Sequence, residues 1–529
     1  MKKAIVFFLL GFIFKLNYAQ ENFSLALNEI SSINAPAIHS GAFAIYNGKW
    51  IMLGGRQNGL HGFQPPFAFP TSGANTNVYV VDPATGQSYS SSLSVLPTRL
   101  YEALTSSNMQ FYLHDSTLYM VGGYGWVDSL QNFITFPTLT AINVAGLTNA
   151  VVNGSPIGSY FRLIEDSTMA ICGAHLQMID STYYLVFGHK FDGYYNRTDT
   201  TGFHVQKYSH EIRKFKIADD GTNLSIYDYE AVQDTNNFRR RDYNLIPQLY
   251  PGNVKGLTAF SGVFKKGVNL PHLDVVTIIG NTYAVSTTFN QNLSQYHSAF
   301  AAIYDSSVQI QHNIFFGGMS MYYIDSAGNT VLDSMVPFVN TISDVVRDFD
   351  YNYQEFNMNI RMPALLGSNA YFFLDNNVPV LQHEFVNLNA LPQSSRIGYI
   401  IGGIESPEAN INETDPTLSF ASSRVFEVIL NKGTGISKPT AISNDVVNFI
   451  CYPNPVNDLM NVEFTLNTPG NVTLAVYDMQ GKLLNEVVNK RMETGAYRLN
   501  VNTRLYGAGA YNCVVTFNGV RKATRFVKE

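Results

Sequence analysis

Three arginines recur in one local setting: Arg99-Leu-Tyr-Glu102, Arg162-Leu-Ile-Glu165 and Arg241-Asp-Tyr-Asn244 each place a carboxylate or amide three residues on. A guanidinium is a planar fork of donors that matches a carboxylate or a pair of hydroxyls. Three of them delivered to one face would hold an acidic or hydroxylated ligand. The same pattern suits a tie within the fold, each arginine binding near its own Glu102, Glu165 or Asn244, and repeated positions more often repeat for structural reasons. Aromatic residues form a second candidate set, since Phe63, Phe67 and Phe69, Tyr194 and Tyr195, and Tyr351 and Tyr353 fall in segments without strand alternation. Exposed rings there would stack on sugars or a partner surface, or else pack their own loops.

Other chemistry is poorly represented, and no catalytic residue is assigned. Histidines are densest at His175, His189, His204 and His210, without the ligand spacing that a metal site announces. Asp348-Phe-Asp350-Tyr-Asn352 opens like a calcium loop, but Tyr353 stands where glycine is needed and Asn359 where a bidentate glutamate would close the shell. Adventitious calcium is the most it supports, and no metal or cofactor is expected. There is no Gly-x-Ser-x-Gly elbow, phosphate loop or dinucleotide fingerprint. The net charge of -6, with no basic block, argues against a nucleic-acid surface.

The elements that must position these residues are strands. Aromatics make up 13% of the chain and charged residues only 14%, a composition that favours strands and turns over helices. One unit recurs, an apolar strand ending in glycine: Lys49-Trp-Ile-Met-Leu-Gly-Gly55, Thr117-Leu-Tyr-Met-Val-Gly-Gly123, Tyr183-Tyr-Leu-Val-Phe-Gly188, Asn313-Ile-Phe-Phe-Gly-Gly318 and Gly398-Tyr-Ile-Ile-Gly-Gly403. Leu257-Thr-Ala-Phe-Ser-Gly262 is a weaker copy. Glycine at a strand end lets backbones approach where any Cβ would clash.

These copies resemble kelch repeats, with His39 and His297 upstream of glycine pairs and Asn77-Val-Tyr-Val-Val-Asp82-Pro83 as a supporting strand. The resemblance implies an all-β fold, a six-bladed kelch-like β-propeller over residues 21–430. A seven-bladed ring with one degenerate repeat, or a stacked pair of sandwiches, fits the same pattern. The outer-strand tryptophan of the family is mostly missing, as only Trp50 and Trp126 are present. Galactose oxidase-like copper chemistry, which the resemblance raises, lacks an identifiable Cys beside a suitable Tyr and His set. The last copy has no fourth strand after Ser423–Leu430, so Phe23–Ile30 is expected to pair with Val425–Leu430 and close the ring.

After a linker at 431–449, alternating strands with Gly or Asn at the joints predict a small immunoglobulin-like β-sandwich over residues 450–529. Its opening Tyr452-Pro453-Asn454-Pro455, the turn at Gly481, Leu505, Gly509 before Tyr511, and the basic end Lys522, Arg525 and Lys528 resemble the type A sorting domain of the type IX secretion system. An immunoglobulin-like module for binding or spacing is the alternative. The resemblance implies export through the periplasm to the outer surface or medium, with the secretion machinery as partner. Residues 1–19, with Lys2, Lys3 and the apolar run Ala4 to Phe14, read as a signal peptide. No transmembrane segment is expected after its removal, a single-pass anchor being the competing reading. Cys172 is read as a buried apolar residue, while Cys451 and Cys513 would pair only if their strands adjoin. The expected role is an exported binding propeller for a glycan or protein; a secreted carbohydrate-active enzyme with its site on the channel face is the alternative.

Overall fold

The computed structural model describes residues 23–196, 204–268, 270–382, 385–411, 415–433, 440–442, 445–479, 481–518 and 520–529. The expected signal peptide and much of the expected linker lie outside them. Almost every described element is a strand, as the composition requires.

Five sheets are each built on four antiparallel strands taken in chain order, with a separate hairpin between the second and third strands of the second, third and fifth. The first holds Ala42–Tyr46, Lys49–Leu53, Asn77–Asp82 and Gln87–Ser92, and the second Gln110–His114, Thr117–Val121, Thr138–Asn143 and Phe161–Glu165. His175–Ile179, Thr182–Val186, Glu211–Asp219 and Leu224–Gln233 make the third; Asn244–Tyr250, Val254–Phe260, Val275–Ile279 and Thr282–Val285 the fourth. The fifth is Ala299–Asp305, Ile310–Phe316, Thr341–Arg347 and Tyr353–Arg361. A sixth sheet has only Leu365–Leu374, Ser394–Ser406 and Val425–Lys432 in sequence, and its place for a fourth strand is filled by Phe23–Glu29. Phe23 lies opposite Lys432 and Glu29 opposite Phe426, the pairing expected from the missing strand.

The glycine-terminated runs are the second strands, and both faces of each are covered. Period-two alternation sends Trp50 and Met52 against Phe373, Tyr399 and Ile401 of the sixth sheet, while Ile51 and Leu53 face Leu118, Met120 and Ile142 of the second. Similar apolar layers join the second sheet to the third, the third to the fourth, the fourth to the fifth and the fifth to the sixth. A strand buried on both faces needs a continuous apolar run, which is why these copies stood out.

Residues 446–529 form a two-sheet sandwich, with Val446–Tyr452, Leu459–Leu466 and Gly495–Asn502 facing Gly470–Asp478, Leu483–Met492, Gly509–Phe517 and Val520–Lys528. Its core runs from Phe449, Val462 and Phe464 to Leu474, Val515 and Phe526. The expected linker is not wholly free, because Thr440–Ile442 pairs with Glu355–Asn357 of the fifth sheet. No described helix is long and apolar enough to cross a membrane.

Phe23 and Leu25 are the anchors of the first strand, 1% and 6% exposed among Ile303, Ile314, Val428 and Leu430. Phe23→Ala should cost about 3–5 kcal/mol in urea unfolding, through lost burial and the cavity left behind. Asn28→Ala on the exposed side of the same strand should change stability by about 0.5 kcal/mol or less. Deleting residues 23–30 should lower Tm sharply, since Val425–Lys432 becomes a bare edge.

Candidate functional site

Each sheet starts from the same backbone joint. A residue with left-handed φ precedes the first strand in five sheets, Ser40, Asn108, Gly173, Asp242 and His297, and in the sixth Asn369 lies within the first strand beside its bulge, all between 51° and 61°. Such a conformation is tolerated best by Gly, Asn and Asp, which occupy four of the six positions. These residues are linked through their backbones. Asn108 N–H donates to Ser40 O at 2.9 Å, Gly173 to Asn108 O at 3.2 Å, Asp242 to Gly173 O at 3.0 Å and Asn369 to His297 O at 2.6 Å.

A second set of bridges brings in the residue after each glycine pair. His39 pairs with Arg56, Ser107 with Tyr124, Cys172 with His189, Arg241 with Val263, and Tyr296 with Met319. Side chains from distant parts of the sequence thereby gather at one end of the sheets.

Two arginines dominate the cluster. Arg56 donates to Asn58 Oδ1 at 2.9 Å and to Pro70 O at 2.6 Å, and lies over the Phe69 ring. Arg241 pairs with Asp242 at 3.0 Å and lies over Phe264 at 4.8 Å, while its buried Nε has no hydrogen-bond partner. Between them runs an aromatic cradle: His61 stacks on Phe69 at 4.4 Å and meets Tyr195 edge-on at 4.7 Å, and Phe69 meets Tyr124 at 5.2 Å. His175 and His297 face each other at 5.9 Å. Arg241, Asp242 and His297 keep 19%, 17% and 22% of their side-chain surface exposed, so the cluster opens to solvent.

Burial sets the charge state. It pushes His39 down to about 3 and His61 and His175 to about 4, with Arg56 adding to the effect at His39. His189 and His297 are lowered by burial as well. Burial opposes the charge of Arg241 too, yet negative neighbours led by Asp242 raise its pKa above the ordinary value. Near neutral pH the site therefore has neutral imidazoles, two guanidiniums and one carboxylate, an arrangement that favours an anionic or hydroxyl-rich ligand. Among the described residues no group of three or more His, Cys, Asp or Glu could hold a metal ion. The stretch that opens like a calcium loop is an Asp-capped turn, in which Asp348 accepts from Asn352 N at 2.8 Å.

The three arginines singled out in the sequence do not converge. Arg99, on the helix Thr98–Leu104, pairs at 2.5 Å with Glu165 on the outer strand of the second sheet rather than with Glu102. Arg162, also on that outer strand, reaches Asp219 of the third sheet at 2.6 Å. Arg99 ties the connecting helix to the second sheet and Arg162 ties the second sheet to the third, and only Arg241 enters the cluster. Asn244 is buried and joins the fourth sheet to the fifth through Gln295 O and Ser298 N. Among the aromatics, Tyr195 and Phe69 are in the cradle. Tyr194 packs on Trp126 and Phe133, Phe63 is half-buried in the loop before Phe69, and Phe67 is 60% exposed. His39, Arg56, His61, Asp242 and Tyr296 were not assigned as site residues from the sequence, although Arg56 directly follows Gly54 and Gly55. At the opposite end of the sheets a cavity of about 320 Å³ is lined by His114, Asp180, Gln248 and Lys255.

In the C-terminal sandwich the sorting residues knit its first strand to its last. Asn454 Oδ1 accepts from Val527 N at 2.8 Å, and Tyr452 OH donates to Glu463. Pro453 and Pro455 are exposed beside them. Gly481 has φ 83° in the turn closed onto Asp478 O, a position that suits glycine. Tyr511 stacks on Phe526 at 5.6 Å, and Gly509 lies opposite Lys528. Cys451 and Cys513 adjoin in the core as free thiols, burial and then Cys513 holding Cys451 protonated.

Residues 450–529 match the family described as the secretion system C-terminal sorting domain, so the chain is exported and is either secreted or attached to the cell surface. No curated protein matches. Among solved structures, the chain is similar to one titled "Structure of YjhT", with 12% identity over 78% of this chain and all of that one, at a TM-score of 0.42. Another is a novel fungal alcohol oxidase of the AA5 family in complex with copper, with 9% identity over 96% of this chain and all of the other, at a TM-score of 0.38.

Two outcomes follow from this geometry. Buried histidines with depressed pKa values bind fewer protons folded than unfolded below about pH 6.5. Stability should therefore fall progressively from pH 6.5 toward pH 4, measured as Tm against pH, and His61→Gln should flatten part of that slope. Arg162→Met should cost about 1–3 kcal/mol by leaving Asp219, still bonded by Tyr119 OH and Gly221 N, without its cationic partner, whereas Arg99→Ala, on a half-exposed pair, should cost about 1 kcal/mol or less.

Proposed function

We propose that residues 21–430 form a six-bladed kelch-like β-propeller that binds a glycan or protein ligand at the cell surface or in the medium, with Arg56 and Arg241 as its principal anchors. Support for the ring comes from the six equivalent joints, from the apolar layers that join each sheet to the next, and from the sixth sheet meeting the first. There Gly403 N–H donates to Ile38 O, as Gly123 N–H does to Ile171 O between the second and third sheets. Domain limits then follow the sequence reading: signal peptide 1–19, propeller 21–430, linker 431–449 and sorting domain 450–529.

The observation that carries the binding role is the pair of guanidiniums held around aromatic faces at one opening, one of them with an unsatisfied Nε. A guanidinium over an aromatic face is held in place at little further entropic cost, so its free donors are preorganised for a carboxylate or vicinal hydroxyls. Phe69 and Tyr195 supply flat surfaces beside them, as a sugar ring requires.

A glycan and protein-ligand screen of the purified chain, repeated with Arg56→Ala and Arg241→Met, tests this reading. Binding should fall at least tenfold in both variants, about 1.4 kcal/mol or more, and survive in Arg99→Ala. Unchanged binding in correctly folded Arg56 and Arg241 variants would place the ligand elsewhere. Removing residues 450–529 should leave the propeller in the periplasm, measured by cell fractionation.

A further inference from the structure

A hairpin of the fifth sheet reaches across to the sorting domain. Tyr322–Ile324 and Thr330–Leu332 form this hairpin, and its second strand runs parallel to the chain's last strand, with Thr330 opposite Lys522, Val331 opposite Ala523 and Leu332 opposite Thr524. The sandwich sheet is thereby extended by two strands that belong to the body of the protein. Val331 is buried with Val514 and Ala523, and Tyr323 and Tyr477 pack around them.

The contact also sequesters part of the basic end that marks the sorting domain. Lys522 is only 4% exposed, donates to Val446 O at 2.6 Å and has the carboxylates of Glu355 and Asp445 as its acidic neighbours. Glu355, on the fifth sheet, is fully buried and accepts from Asn292 N at 2.8 Å and Leu293 N at 3.1 Å. Burial moves this pair in opposite directions, Glu355 up to about 8 and Lys522 down to about 8. Leu293 packs in turn on Met321, Tyr322 and Ile324, so the same spot anchors the carboxylate and the root of the hairpin. Arg361 holds the hairpin from the fifth sheet by donating to Ile324 O at 3.2 Å.

Parallel pairing over three residues is a weak joint compared with the long antiparallel ladders inside either domain. It can open while both domains stay folded. An open edge on the last strand is, in turn, a ready template for pairing with another chain. We propose that the hairpin Tyr322–Leu332 is a latch that holds the sorting domain against the body by strand addition, so that the secretion machinery gains access to the edge of the last strand at Lys522–Thr524 only when the hairpin releases it. This rests on the export role of residues 450–529 and not on the ligand site.

The test uses the full-length chain. Residues 322–332 are replaced by a two-residue Gly-Ser turn, which the Asp333 N–H to Met321 O bond at the hairpin base would close. A second variant, Val331→Asp, places a charge in the apolar contact without removing the hairpin. Hydrogen exchange over residues 522–524 should rise at least tenfold in either folded variant, while exchange in the first to fourth sheets stays the same. Pulse-chase delivery to the cell surface should be faster than for the unaltered chain. Unchanged exchange would overturn the docking. Faster exchange with unchanged or slower delivery would overturn the gating while leaving the export role intact. Should the excision fail to fold, Val331→Asp decides both points.

Discussion

The rest of the structure depends on how closely the end of each second strand approaches the connector entering the next sheet. A Cβ at Gly122 would lie 2.0 Å from Ile171 O, one at Gly317 1.8 Å from Leu366 O, and one at Gly402 2.4 Å from Ile38 O. No side chain fits these distances, and the left-handed backbone at each position adds a second reason for glycine. Phe187 and Ser261 take the first place of the pair in the third and fourth sheets and still adopt φ of 54° and 60°. The backbone geometry is retained there although the residue type is not.

That joint also builds the candidate site. The residue after the glycines then bridges to the connector that enters its own sheet, and in the first and third sheets it is Arg56 and His189. A structural necessity of the fold therefore places polar groups at one opening, where burial keeps histidines neutral and leaves the guanidiniums as the charged groups. The arrangement is costly in desolvation, and the carboxylate of Asp242 and the rings of Phe69 and Phe264 offset part of it. Arg99 and Arg162 occur in similar local sequence but sit on a connecting helix and on an outer strand, where their partners are Glu165 and Asp219.

The two domains are linked by more than the chain that joins them. Strand addition from the fifth sheet, the short pairing at 440–442 and the buried Glu355 and Lys522 fix the sandwich to one sheet of the larger domain. The two pairings satisfy backbone donors and acceptors that would otherwise be left at bare edges, and Glu355 and Lys522 are buried with their own bonds to Asn292 N, Leu293 N and Val446 O.

Sequence alone determined the strand-rich class, the glycine-terminated repeats, the sorting domain and the pairing of the segment from Phe23 to Ile30 with that from Val425 to Leu430. These depend on local periodicity, on turn chemistry and on counting strands, all of which are written along the chain. It also offered Arg241 and Tyr195, though beside Arg99 and Arg162 with equal weight. Only the tertiary structure decided among them, because whether an arginine meets a ligand or a neighbouring Glu165 or Asp219 depends on which sheets adjoin. Lys522 shows the same limit. Its charge made it part of a basic terminus, and its burial against the fifth sheet comes from a register between segments about two hundred residues apart that no local pattern encodes.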